Sequence, residues 1–192
     1  MAAHSGQDDG ASPREIVLEA CRRNNTELLD EVVDTVSHAP LNSGGQRLSP
    51  EEAVADLLNH AVDGIGNHCL HLAASYGSYE VLDALLDHEG LEVDPIDRLE
   101  SDTPLHKAVR YVNDLSRDRW DDALQLVELL LDAGADPRVR NKAKLRPMDL
   151  ADPANTALRS TLQKAEFALL AGADVIQEDD DDGPTGSASD DE

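Results

Sequence analysis

His68, Cys69 and His71 fall within four residues of one another, and both residue types ligate zinc. A closed zinc site needs four ligands, and no matching pair lies elsewhere in the chain. His71 and His106 have the chemistry of general bases, but neither is accompanied by a Ser, Cys or carboxylate in a nucleophile motif. A glycine-rich phosphate loop and a paired-carboxylate signature are also missing. The residues point away from an enzyme, a metal centre or a cofactor. Their placement within a recurring phrase is more informative. Gly66-Asn67-His68-Cys69-Leu70-His71-Leu72-Ala73-Ala74 is echoed by Ser101-Asp102-Thr103-Pro104-Leu105-His106-Lys107-Ala108-Val109, and more weakly by Arg146-Pro147-Met148-Asp149-Leu150-Ala151. Residues that recur this way have a job in every copy, which is a structural job.

Charge narrows the partners. Forty acidic residues against 16 basic ones give a formal charge of −24. Such a chain is repelled by nucleic acid and by anionic membrane surfaces and attracts basic proteins over long range. No run approaches the ~18 apolar residues of a membrane span. Met1 to Ser12 is polar and acidic, unlike a signal peptide. Cys21 and Cys69 lie in apolar helical text, as buried reduced thiols of an intracellular protein do, and both cytoplasm and nucleus are expected. Nine of the 16 basic residues lie between Lys107 and Arg146, whereas the end of the chain carries Glu178, Asp179, Asp180, Asp181, Asp182, Asp190, Asp191 and Glu192 with no base. That acidic tail has three readings: solubility, mimicry of a nucleic-acid backbone on a basic partner, or contact with the chain's own basic stretch. Ser187 and Ser189, each followed by acids, offer phosphorylation sites that would add negative charge.

The elements that must position these residues are helical. Aromatics are 3% of the chain, so the core is built from Leu, Val, Ile and Ala. After a disordered lead, 1–12, Ser12-Pro13-Arg14-Glu15 is a helix start: a Ser cap, Pro in the first turn and Glu three residues after the cap. Asn24-Asn25 ends that helix, and Thr26 is expected to cap a second over 27–36. Residues 37–62 read as an inserted loop followed by a helix from Ser49-Pro50 to about Val62. Three helix pairs follow in units 63–96, 97–140 and 141–175. Their expected helices are 70–76 with 80–88, 104–111 with 122–132, and one from Pro147 with 155–171. Gly134-Ala135-Asp136 and Gly172-Ala173-Asp174 close the second and third units, and 176–192 is the acidic disordered tail.

Thr103-Pro104-Leu105-His106 is the phrase that opens each unit of an ankyrin array, and residues 63–175 resemble ankyrin repeats, with 13–36 as a capping pair. The resemblance implies an all-α solenoid with short hairpin loops between repeats. It also implies roles: Thr caps the first helix, Pro preorganises its first turn, Leu fills the core between units, and His ties neighbouring units through hydrogen bonds. The first copy departs at His68 and Cys69, and the third carries Arg146 and Asp149 in place of Thr and His. The second unit has about ten residues beyond an ordinary unit of about 33, around Val112 to Asp121.

Ankyrin arrays bind through hairpin tips and the exposed face of each first helix. The resemblance places Ile65, Asn67, Ser75 and Tyr76 on that surface in the first unit. In the second it places Leu99, Glu100, Asp102, Arg110 and Tyr111, and in the third Lys142, Ala143 and Leu145. Tyr76 and Tyr111 share one repeat position and either anchor a partner or pack across adjacent units. Trp120, in the surplus segment, is either an anchor or a satellite of the core. Repeat number, charge and tail resemble the fungal acidic-tailed ankyrin chaperones of the KH-domain small-subunit ribosomal protein. That resemblance implies a monomer shielding a basic client one-to-one. An inhibitor masking a transcription factor's DNA-binding or import surface, and a general adaptor, use the same fold.

Overall fold

The computed structural model describes residues 10–38 and 48–174, which form helices in two layers. The lead's first nine residues, much of the inserted loop and the acidic tail lie outside the described residues. α1 (Pro13–Arg23) and α2 (Thr26–His38) form the first pair, and α3 (Pro50–Asn59) packs on both. α4 (Cys69–Tyr76) pairs with α5 (Tyr79–Leu86), α6 (Pro104–Asp114) with α7 (Trp120–Asp132), and the four-residue α8 (Pro147–Leu150) with α9 (Thr156–Asp174). The first helices of the pairs stack in order, α1 on α4, α4 on α6 and α6 on α8. The second helices form an outer row in which α2 meets α5 and α7 meets α9. The result is an all-α solenoid.

Helix starts follow from the caps. Ser12 and Ser49 each make a capping box, with the Ser hydroxyl accepting from the third residue's N–H and Glu15 or Glu52 accepting from the Ser backbone. The core runs along the seams: Val17, Ala20 and Cys21 of α1; Leu70, Ala73 and Ala74 of α4; Leu105, Ala108 and Val109 of α6. Alanines here let helices approach closely, and the long side chains Leu82, Leu85, Leu130, Leu158 and Leu162 fill the space beneath the outer row.

Several boundaries differ from expectation. Asn25, not Thr26, caps α2: its side-chain oxygen accepts the Leu28 N–H at 3.0 Å. α3 ends at Asn59, because Val62 is drawn into an antiparallel bridge with His68 at the first hairpin. α5 closes at Leu86, two residues before His88. The surplus of the second unit is not an open loop. It lengthens α6 to Asp114, adds a 3-10 turn over Arg117–Arg119 and starts α7 at Trp120. Residues 172–174 do not turn, as α9 continues to Asp174.

Candidate protein-binding face

Each first helix of units one to three is preceded by a hairpin tip built on one side chain. Asp63 Oδ1 accepts the N–H groups of Ile65 and Asn67 at 3.0 and 2.9 Å. Asp97 accepts from Glu100 at 2.7 Å, and Asn141 from Leu145 at 3.1 Å. Two residues before each cap position the backbone is left-handed, at Gly66 (φ 90°), Ser101 (φ 53°) and Lys144 (φ 66°). The tips are joined edge to edge by Arg98 N–H to Gly66 O at 3.4 Å and Lys142 N–H to Glu100 O at 2.7 Å. The tips approach so closely that a Cβ on Gly66 would lie 2.4 Å from that of Arg98. This turn geometry pushes apolar side chains outward: Ile65 is 55% exposed and Leu99 53%. Val62, Ile96 and Leu145 are also exposed. Val62 and Ile96, not singled out from the sequence, share a legible signal, an apolar residue immediately before the turn aspartate.

Behind the tips, the histidines stitch the seams. The His68 N–H donates to His71 Nδ1 at 3.2 Å, so Nε2 carries the proton and donates to Asp102 O of the next unit at 2.8 Å. His106 repeats the arrangement: Nδ1 faces the Thr103 N–H and hydroxyl at 3.1 and 2.9 Å, and Nε2 donates to Leu145 O at 3.0 Å. Burial pushes His71 down to about 4 and lowers His106, so both are neutral linkers. In the third unit Asp149 takes the His place and keeps the box. It accepts from the Arg146 N–H at 3.0 Å and pairs with the guanidinium, which also reaches Glu166 at 2.9 Å. Arg146 holds the Asp149 carboxyl down at about 2.

His68, Cys69 and His71 have separate structural partners. His68 Nδ1 donates to Asn59 O at 3.1 Å, and the Cys69 thiol donates to Leu58 O at 3.3 Å. Burial raises that thiol to about 12, which keeps it protonated. Among the described residues no group of three His, Cys, Asp or Glu could hold a metal ion.

The candidate surface residues separate into two sets. Ile65, Ser75, Tyr76, Leu99, Glu100, Arg110, Lys142, Ala143 and Leu145 are exposed. Asp102 is not a surface residue: it has no exposed area. It accepts from Asn141 Nδ2 at 2.8 Å and Arg110 Nε at 2.9 Å, with Lys107 Nζ at 3.5 Å. Lys107 also pairs with buried Asp97 at 2.6 Å, so a charged network locks the second tip to α6. These hydrogen bonds and cations keep the Asp97 and Asp102 carboxyls below their usual range despite the opposing effect of burial. Asn67 is half-buried, bonded to Asp63 at 3.0 Å. Tyr76 is 55% exposed, but Tyr111 at the same repeat position is half-buried against Gly77. A Cβ on Gly77 would come within 2.1 Å of that ring. Trp120 takes the satellite role: its indole N–H donates to Leu115 O at 3.2 Å, Arg117 lies over the ring, and the ring packs on the core.

A family model described as ankyrin repeats, in three copies, matches residues 18–141. The chain belongs to the ankyrin-repeat family. It is 39% identical over 184 residues to the ankyrin repeat-containing protein YGL242C of Saccharomyces cerevisiae, an alignment covering 92% of this chain and 93% of the relative. The ankyrin array is a non-catalytic scaffold for protein–protein interaction, and this member presents an uneven surface to its partners. Helices α2, α3, α5 and α7 carry thirteen acids and no Lys or Arg, whereas α9, at the end of the outer row, carries Arg159 and Lys164. The tips of the second and third units carry Arg98, Arg140, Lys142 and Lys144, all exposed.

Proposed function

We propose that this ankyrin-repeat protein is a stoichiometric shield for a basic client, a newly made small-subunit ribosomal protein of the KH-domain type. The observation that carries the reading is the pairing of an apolar, outward-facing tip row with acidic helices α2, α3, α5 and α7 that carry no Lys or Arg. Ile65, Leu99 and Tyr76 supply the desolvated grip that a specific complex needs. The outer row supplies long-range attraction for Lys- and Arg-rich surfaces. A groove of about 690 Å³ between α1 and the first tip places Glu15, Glu19 and Asp63, with Arg22, beside Val62. A basic ribosomal protein covered this way is kept from aggregating and from binding stray RNA. It is handed over when rRNA offers a denser polyanion. Such a shield works in the cytoplasm, where the client is made, and in the nucleus, where it is assembled.

The test is reconstitution. The purified full chain is mixed with the KH-domain small-subunit protein at low salt, and mass and client solubility are followed by light scattering. The expected result is a one-to-one soluble complex that weakens steeply with salt and is lost in Ile65→Asp/Leu99→Asp. A client that precipitates unprotected would overturn the reading. So would recovery from growing cells of a transcription factor, or of an acidic protein, as the partner that forms this complex.

A further inference from the structure

Two exposed features lie toward the third-unit end of the array, one on α9 and one on the neighbouring tips. One is apolar: Phe167 is 71% exposed and Leu170 56%, on adjacent turns of the helix. The other is cationic. Arg146 and Arg140 face Asp149, and Arg146 reaches Glu166, but Arg98, Lys142 and Lys144 on the neighbouring tips have no carboxylate partner among the described residues. In a chain of charge −24, an edge with surplus cations is anomalous.

We infer that the segment 175–182 of this chain folds back on that edge, with Glu178 to Asp182 lying against Arg98, Lys142 and Lys144. The distances allow it. The Arg146–Glu166 bond places Glu166 beside the third tip, and eight more residues of helix carry the chain about 12 Å further, to Asp174. Returning over that distance takes about four extended residues, at up to ~3.5 Å each. Those four are Val175, Ile176, Gln177 and Glu178, so the acidic run begins level with the tips. The two residues passed on the way, Val175 and Ile176, are the apolar pair of the segment and come back alongside Phe167 and Leu170. One occupant thus accounts for both features, by area burial at the helix and charge complementarity at the tips. The contact does not depend on which client the array takes.

A nitroxide on Gly183→Cys in the full chain tests this by amide relaxation. The native thiols Cys21 and Cys69 are 0% and 1% exposed, so the label goes to the introduced site. Amide signals of residues 142–145 should be lost. They should return in about 1 M salt, where the Debye length falls to ~3 Å. The same recovery is expected in Asp179→Asn/Asp180→Asn/Asp181→Asn/Asp182→Asn, which leaves the array untouched, and in Lys142→Glu/Lys144→Glu. Unaffected tip amides would overturn the inference, as would broadening insensitive to salt and to both variants. Isotope-labelled chains mixed with spin-labelled unlabelled ones separate the alternatives, since broadening in that mixture would assign the tail to a second copy and refute docking within one chain.

Discussion

Asp83 on the outer face of α5 and Asp102 at the tip before α6 are the same residue type in opposite circumstances. Asp83 is solvated, one of thirteen acids on four helices with no Lys or Arg among them. Asp102 has no exposed surface and is held by Asn141, Arg110 and Lys107. On the outer row most acids, Asp83 among them, face water and are available to a partner. At the tips, it is structural where buried and surplus only at the rim. A solenoid separates the two because the outer helices meet water along their length, while each tip is pressed between neighbours.

That contrast is broken most directly by removing the two aspartates in turn. Asp102→Ala leaves Lys107, Arg110 and Asn141 facing an empty buried site and should cost about 3 kcal/mol in urea unfolding. Asp83→Ala should fall within about 0.5 kcal/mol of the parent. Equal effects would erase the distinction.

The seams sharpen it through pH. His71 is pushed down to about 4, below the ~6.5 of an unfolded histidine, so the unfolded chain binds the extra proton first. Its contribution is therefore complete above about pH 6.5 and lost as pH falls through about 4, on the order of 3 kcal/mol. His106 is lowered for the same reason and adds in the same direction. Asp94, whose buried carboxyl is raised, opposes this by becoming easier to accommodate when protonated. Unfolding at pH 7.5 and pH 5 should show the loss, and His71→Gln should flatten it.

A smaller effect is expected at Gly77, where φ is +67° and the Tyr111 ring would lie 2.1 Å from a Cβ. Gly77→Ala should cost about 2 kcal/mol, and adding Tyr111→Ala should return about half of it, because the backbone strain remains.

Much of this was legible in the residues. Thr103, Pro104, Leu105 and His106 announce cap, first turn, core and seam, and each does that work in the structure. The third unit departs from Thr and His at Arg146 and Asp149, and there Asp149 supplies the box with its carboxylate. Asp102 was misplaced because a tip residue's exposure is decided by what faces it. Asn141 comes from 39 positions away and Arg110 from eight, in the second turn of α6, and neither spacing belongs to the repeat. Tyr76 and Tyr111 share a position but not an environment, since only Tyr111 has a glycine of the preceding unit to lie on.

The surplus of the second unit has a counterpart in the shortness of the third. Lengthening α6 to Asp114 brings Asn113 to the end of the four-residue α8. There its amide donates to Leu150 O at 2.9 Å and its oxygen accepts the Asp152 N–H at 3.0 Å, in the way a paired strand would. One unit's insertion thus completes the hydrogen bonding of the next unit's truncated helix. These repeats are consequently not interchangeable bricks: a chimera that exchanges the second unit for an ordinary one inherits an unfinished third, and any shuffling of this array has to move the two as a single cassette.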